Sequence, residues 1–150
     1  MPEKETIDRA REDAREGKSP STQAGEFVRE EMHHIREGKH GAASTSQAIA
    51  IGLSKARRAG VELKPPRPGK KSSSTAEKAG RDYEKGQSHS RRKPSATRSR
   101  ATSSALKKKG RSAASHSALS RQARTAARKR SATSRHNAAV KAGRTRKGRN

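Results

Sequence analysis

Aromatic residues are almost missing from this chain. Phe27 and Tyr83 are the only two, tryptophan is absent, and hydrophobic residues fill 26% of the 150 positions. Folding must offset roughly 1–2 kcal/mol of backbone entropy per ordered residue, chiefly by burying apolar surface. So thin an apolar supply cannot do this over the whole length, and low hydrophobicity joined to high net charge is the composition of disorder. Cysteine is also absent, which excludes disulfides and thiolate metal sites. Long apolar runs are missing too. The longest, A-I-A-I-G-L at 48–53, is far too short to span a bilayer, and residues 1–15 are too charged to form the core of a signal peptide. These absences predict a soluble protein of a reducing interior.

The last absence is of one sign of charge. Residues 85–150 carry 21 lysines and arginines and no aspartate or glutamate. Residues 1–64 hold 12 basic and 11 acidic residues, a net of +1, so nearly all of the chain's +24 belongs to residues 65–150. A polycation this dense is drawn to polyanions, of which nucleic acid is the most abundant in a cell.

The apolar residues concentrate before residue 64, within helix punctuation. Ile7, Ala10 and Ala14 recur at helical spacing between Pro2 and Gly17, with acids crowding the first turn, where the helix dipole favours them. A second helix begins near Ser19-Pro20-Ser21-Thr22, presents Ala24, Phe27, Val28, Met32 and Ile35, and ends at Gly38. Ser44-x-x-Gln47 reads as a capping box that opens a third helix lined by Ile49, Leu53 and Ala56, with Ala48 and Ile51 beside them. Gly60-Val61 closes it. Gly25 and Gly52, inside the predicted helices, each cost about 1 kcal/mol or mark a close helix contact.

Three strings in this region, G-K-S-P-S-T-Q-A-G-E-F-V-R-E-E (17–31), I-R-E-G-K-H-G (35–41) and Q-A-I-A-I-G-L-S-K-A-R-R-A-G-V (47–61), resemble a family of small, basic bacterial proteins built on a domain of unknown function. The resemblance covers most of the first 64 residues. It implies a bacterial origin, a genuine domain and a variable basic tail, and it supplies no catalytic residue.

The predicted architecture is a small all-α head of about three short helices (1–64), then a Pro/Ser-rich linker (65–74), room for a short helix at 75–86, and a largely disordered, low-complexity basic tail (87–150). The tail resembles the arms of linker-histone-like proteins in composition rather than in motif. Arg121, Arg124 and Arg128 would form an arginine stripe if 117–130 were helical. Like charges oppose that helix in water and phosphates would relieve them.

The candidate nucleic-acid contacts are the tail cations Arg91, Arg92, Lys93, Arg98, Arg100, Lys107, Lys108, Lys109, Arg111, Arg121, Arg124, Arg128, Lys129, Arg130, Arg135, Lys141, Arg144, Arg146, Lys147 and Arg149. A solubilising tail or a basic address tag would share this composition, but acid-free basic segments of this length usually meet phosphate. Discriminating a base sequence needs side chains held rigidly at base edges, and past Tyr83 there is no aromatic residue to stack on a single strand, so broad, duplex-tolerant binding is expected. Lys55, Arg57 and Arg58 come too late in the third helix for a recognition helix, and their expected role is to complement its dipole.

No other chemistry is expected. His33, His34 and His40 find no carboxylate that completes a ligand set in sequence, and they read as surface histidines. Gly17-Lys18-Ser19 echoes a phosphate loop, but Glu12 stands where that motif needs glycine. No catalytic constellation emerges, so the expectation is a non-enzyme without cofactor or metal. The leading functional reading is a histone-like, nucleoid-associated DNA-binding protein of the bacterial cytoplasm, whose head would self-associate or dock a protein partner. Two alternatives stand beside it: an RNA-associated basic protein, and a helical protein-interaction module using the Phe27/Val28/Met32/Ile35 face, tethered by a cationic tail.

Overall fold

A computed structural model describes residues 2–67, 73–88 and 95–147. Among them are seven α-helices: α1 (Lys4–Arg15), α2 (Pro20–Arg36), α3 (Thr45–Arg58), α4 (Ser73–Gln87), α5 (Ala96–Lys107), α6 (His116–Arg128) and α7 (Ala132–Lys147), with a 3₁₀ turn at Ser112–Ala114. Of the expected linker, residues 68–72 lie outside the described residues. The expected largely disordered tail is overturned, because the chain is helical across nearly its whole length. The physical reason is that an α-helix satisfies its backbone within itself, and alanine, arginine and lysine, the commonest tail residues with serine, are strong helix formers. Composition predicts disorder from the lack of a core, yet α5 and α6 form while burying no residue at all.

Two compact units emerge, Met1–Ser115 and His116–Asn150. In the first, α2 packs on α1 and α3, and α4 packs on α3. The helix ends follow from local chemistry. Gly17, Gly38 and Gly60 all have positive φ (70°, 79° and 96°). After α3, the Val61 amide reaches back to the Ala56 carbonyl (3.1 Å) and the Gly60 amide to that of Arg57 (3.0 Å), a Schellman closure. At its start the Gln47 amide donates to Ser44 Oγ (3.1 Å), while the Gln47 side chain accepts from the Ala43 amide (2.7 Å), one residue earlier than the reciprocal box requires.

Phe27, Ala10, Ala24, Ala56 and Val61 form the core, with Ile7, Leu53 and Leu63 packed at its margin. The innermost face of α3 is Ala48, Gly52 and Ala56, whereas Ile49, Ile51 and Leu53 are only half-buried. Small residues are inside because the helices cross at backbone distance: a Cβ on Gly52 would meet Val28 Cα at 2.7 Å. Gly25, by contrast, is exposed with open space around it. Gly52→Ala should therefore destabilise by about 1–3 kcal/mol through overpacking, and Gly25→Ala should stabilise by about 0.8–1 kcal/mol through helix propensity. Urea unfolding of the two variants checks the opposite signs.

The rest of the first unit is tied to α2, α3 and the loop between them by polar anchors rather than by hydrophobic bulk. Asp82 of α4 accepts from Ser54 Oγ (2.6 Å) and Arg58 Nε (2.7 Å) of α3. The end of α5 is held by main-chain bonds, Gly41 N to Leu106 O (3.0 Å) and Ala42 N to Gly110 O (3.2 Å). The 3₁₀ turn is held by Arg36 Nε on Ala114 O (2.9 Å) and Thr45 Oγ1 on Ala113 O (2.7 Å). Ala113 and Ala114 are buried there. No helix among the described residues is long and apolar enough to cross a membrane.

Candidate nucleic-acid interface

The cations of α3 and those of the later helices have different surroundings, which separates structural charge from available charge. Lys55 Nζ sits 2.7 Å from Glu31 Oε2 and 3.4 Å from Glu30 Oε1. Arg57 is buried and its Nε donates to the Leu63 carbonyl at 3.0 Å. That burial pushes the guanidinium below its ordinary value, with Asp82 opposing the shift, yet arginine stays charged. Arg58 is held by Asp82. All three are used inside the fold, in keeping with a role other than base recognition.

The later cations are outside. Arg98 and Arg100 on α5, Lys107, Lys108, Lys109 and Arg111 at its end, Arg121, Arg124 and Arg128 on α6, Lys129 and Arg130 after it, and Arg135, Lys141, Arg144, Arg146 and Lys147 on α7 are all exposed. Arg91, Arg92, Lys93 and Arg149 lie outside the described residues. On α6 the spacing of Arg121, Arg124 and Arg128 puts three guanidinium groups on one helix face. None of the three is in an ion pair with a described residue. On α5, Ser99, Arg100, Ser103, Ser104, Lys107 and Lys108 line an open concave patch. Cations beside hydroxyl donors suit phosphate oxygens. The sequence does not single out these serines, because serine there looks like a spacer; helical spacing is what brings them beside Arg100 and Lys107. On α7 the cations are spread around the helix rather than gathered on one face.

The face Phe27/Val28/Met32/Ile35 is not a surface. Phe27 (1% exposed), Met32 (5%) and Ile35 (0%) are interior, and Val28 meets Gly52 of α3.

The histidines separate as well. His33 is exposed, but His34 and His40 are not, and a buried carboxylate, Glu31, meets His40 through one oxygen and Lys55 through the other. One donor atom each of Glu31, His34 and His40 fall within 4.8 Å of one another. The Glu31–His34 spacing of three on α2 is legible in sequence; the approach of His40 from the loop after it is not. Beside them, hydrogen bonds from His34 and then Lys39 hold the Glu3 carboxyl below its ordinary range.

No family model matches this chain, and neither does any curated protein or solved structure.

Proposed function

We propose that this protein binds nucleic acid without sequence specificity, in the manner of a histone-like, nucleoid-associated protein, through the exposed cations of α5, α6 and α7. The observation that carries the reading is the contrast between α3, whose cations are engaged within the fold, and these later helices, whose arginines and lysines are exposed in a region without acids. Duplex DNA is the favoured partner, since no aromatic residue accompanies the cations to stack on unpaired bases. The compact unit 1–115 would hold α5 in place and supply any self-association or protein docking. The bacterial setting rests on the resemblance of residues 17–61 to the basic bacterial family, and the nucleoid setting on the exposed cations alone.

The test is substitution of the arginine stripe in the full chain. R121Q, R124Q and R128Q together should weaken binding by a similar factor for any duplex sequence and reduce the magnitude of the salt slope by about 3, close to one per lost phosphate contact. Fluorescence anisotropy with two unrelated duplexes measures both. Unchanged slope and affinity would remove the stripe from the interface. Competition with structured RNA at matched salt assigns the partner: displacement of DNA at equal or lower RNA concentration would make it RNA.

A further inference from the structure

We propose that Glu31, His34 and His40 form a binding site for a divalent transition-metal ion of the zinc class, pinning the end of α2 to the loop before α3. The argument starts from two buried acids. Glu30 and Glu31 are adjacent on α2, with side chains 2% and 0% exposed, and among the described residues only one lysine, Lys55, reaches them. With neutral imidazoles the pocket therefore keeps one negative charge in excess, an arrangement that burial penalises unless a cation enters.

The hydrogen-bond directions say where that cation belongs. His40 Nδ1 lies 3.2 Å from the Gly41 carbonyl, which can only accept, so this nitrogen carries the proton. His40 Nε2 then faces Glu31 Oε1 at 3.3 Å, an ion pair when the ring is protonated and a lone pair open to an entering cation when it is not. His34 repeats the pattern. Its Nε2 is 2.9 Å from the Glu3 carboxylate, which leaves Nδ1 turned inward, 3.9 Å from Glu30 Oε1. An imidazole whose outer N–H is held by a carbonyl or carboxylate while its other nitrogen points inward is the arrangement of a metal-ligating histidine.

Lys55 does not fill the place. It lies 2.7 Å from Glu31 Oε2, off the direction of a good hydrogen bond, and neither Glu31 oxygen has a hydrogen-bond partner among the described residues. Oε1 stays open towards His40. The distance fits: ligands at about 2.0–2.1 Å from a tetrahedral ion stand about 3.3 Å apart, the separation of His40 Nε2 from Glu31 Oε1. His34 needs only a small swing, since the three donors fall within 4.8 Å. Two imidazoles and one carboxylate suit zinc and its neighbours rather than magnesium or calcium. Glu30 or water would complete four-coordination.

The experiment is titration of the full chain, freed of metal, with zinc ions by calorimetry, followed by cobalt(II) absorption. One zinc ion per chain is expected, with the intense visible bands of four-coordinate cobalt and a raised melting temperature. His34→Gln and His40→Gln should each abolish the tight site and His33→Gln should leave it intact. Glu3→Gln, which removes the carboxylate that holds the outer nitrogen of the His34 ring, should weaken it about tenfold. Acidification should weaken binding, since protons compete for both imidazoles. Absence of one-to-one binding, or binding that survives His34→Gln and His40→Gln, would overturn the proposal. If these variants do not fold, the cobalt spectrum of the unaltered protein decides, and weak six-coordinate bands would count against the site.

Discussion

Raising the salt from about 50 to about 200 mM is expected to weaken duplex-DNA binding by the intact protein about 4,000-fold. The figure comes from geometry and charge together. A helix lying on a duplex can turn only part of its surface to the phosphates, so about a third of the 21 cations in residues 85–150 can engage at once. Each neutralised phosphate releases condensed counterions and lowers log K by about 0.9 per log unit of salt, giving a slope near −6. The cations on α5, α6 and α7 are exposed, and Arg121, Arg124 and Arg128 make no ion pair with a described residue that transfer to phosphate would have to break. Anisotropy titrations at four or five salt concentrations measure the slope. A slope near −1 with tight binding would mean that hydrogen bonds from a shaped surface, rather than phosphate neutralisation, hold the complex. Attention would then return to the 1–115 unit.

Phe27→Ala is expected to remove about 3–5 kcal/mol of stability. For a unit of about this size that lowers the melting temperature by at least about 12 °C. Most small domains have only 5–15 kcal/mol to lose. The effect should be large here because the rest of the core is made of small side chains. Around Phe27 (1% exposed) the buried cluster is Ala10, Ala24, Ala56 and Val61, and none of these can collapse far into the space a phenyl ring leaves. Phe27→Leu, which keeps much of the volume, should cost less than about 1.5 kcal/mol. Thermal and urea unfolding of the two variants would show the difference. Equal, small losses from both would mean that polar anchors such as Asp82 and the Gly41–Leu106 bond hold the unit with little help from its core.

These two expectations rest on features of different legibility. Charge segregation, the exclusion of disulfides, three helices before residue 64 and the glycine that ends each of them follow from sequence, because they depend on residues within a few positions of one another. Capping, αL glycines and apolar periodicity are local physics. The inner face of α3 is harder to find. Ile49 and Leu53 carry the hydrophobic signal, yet Ala48, Gly52 and Ala56 occupy the interior, since close backbone approach to Val28 selects for small size rather than hydrophobicity.

The helical state of residues 96–147 escapes composition for a related reason. Hydrophobic content measures the capacity to build a core, and these helices do not draw on one. Where this later chain attaches to α2, α3 and the loop between them, its own backbone carbonyls accept: those of Leu106 and Gly110 from the Gly41 and Ala42 amides, and those of Ala114 and Ala113 from the Arg36 and Thr45 side chains. Carbonyl and amide groups are the same in every residue, so composition carries no trace of which ones will pair. The Glu31, His34 and His40 cluster stands between these cases. Its helical half is written in the three-residue spacing on α2, but His40 joins only because the Gly38 turn bends the chain back over Glu31. The sequence by itself thus determined where the charge lies and where the first helices start and stop. The tertiary structure alone decided which charges are used within the fold and which are left on its surface, because that depends on contacts between residues far apart in the chain.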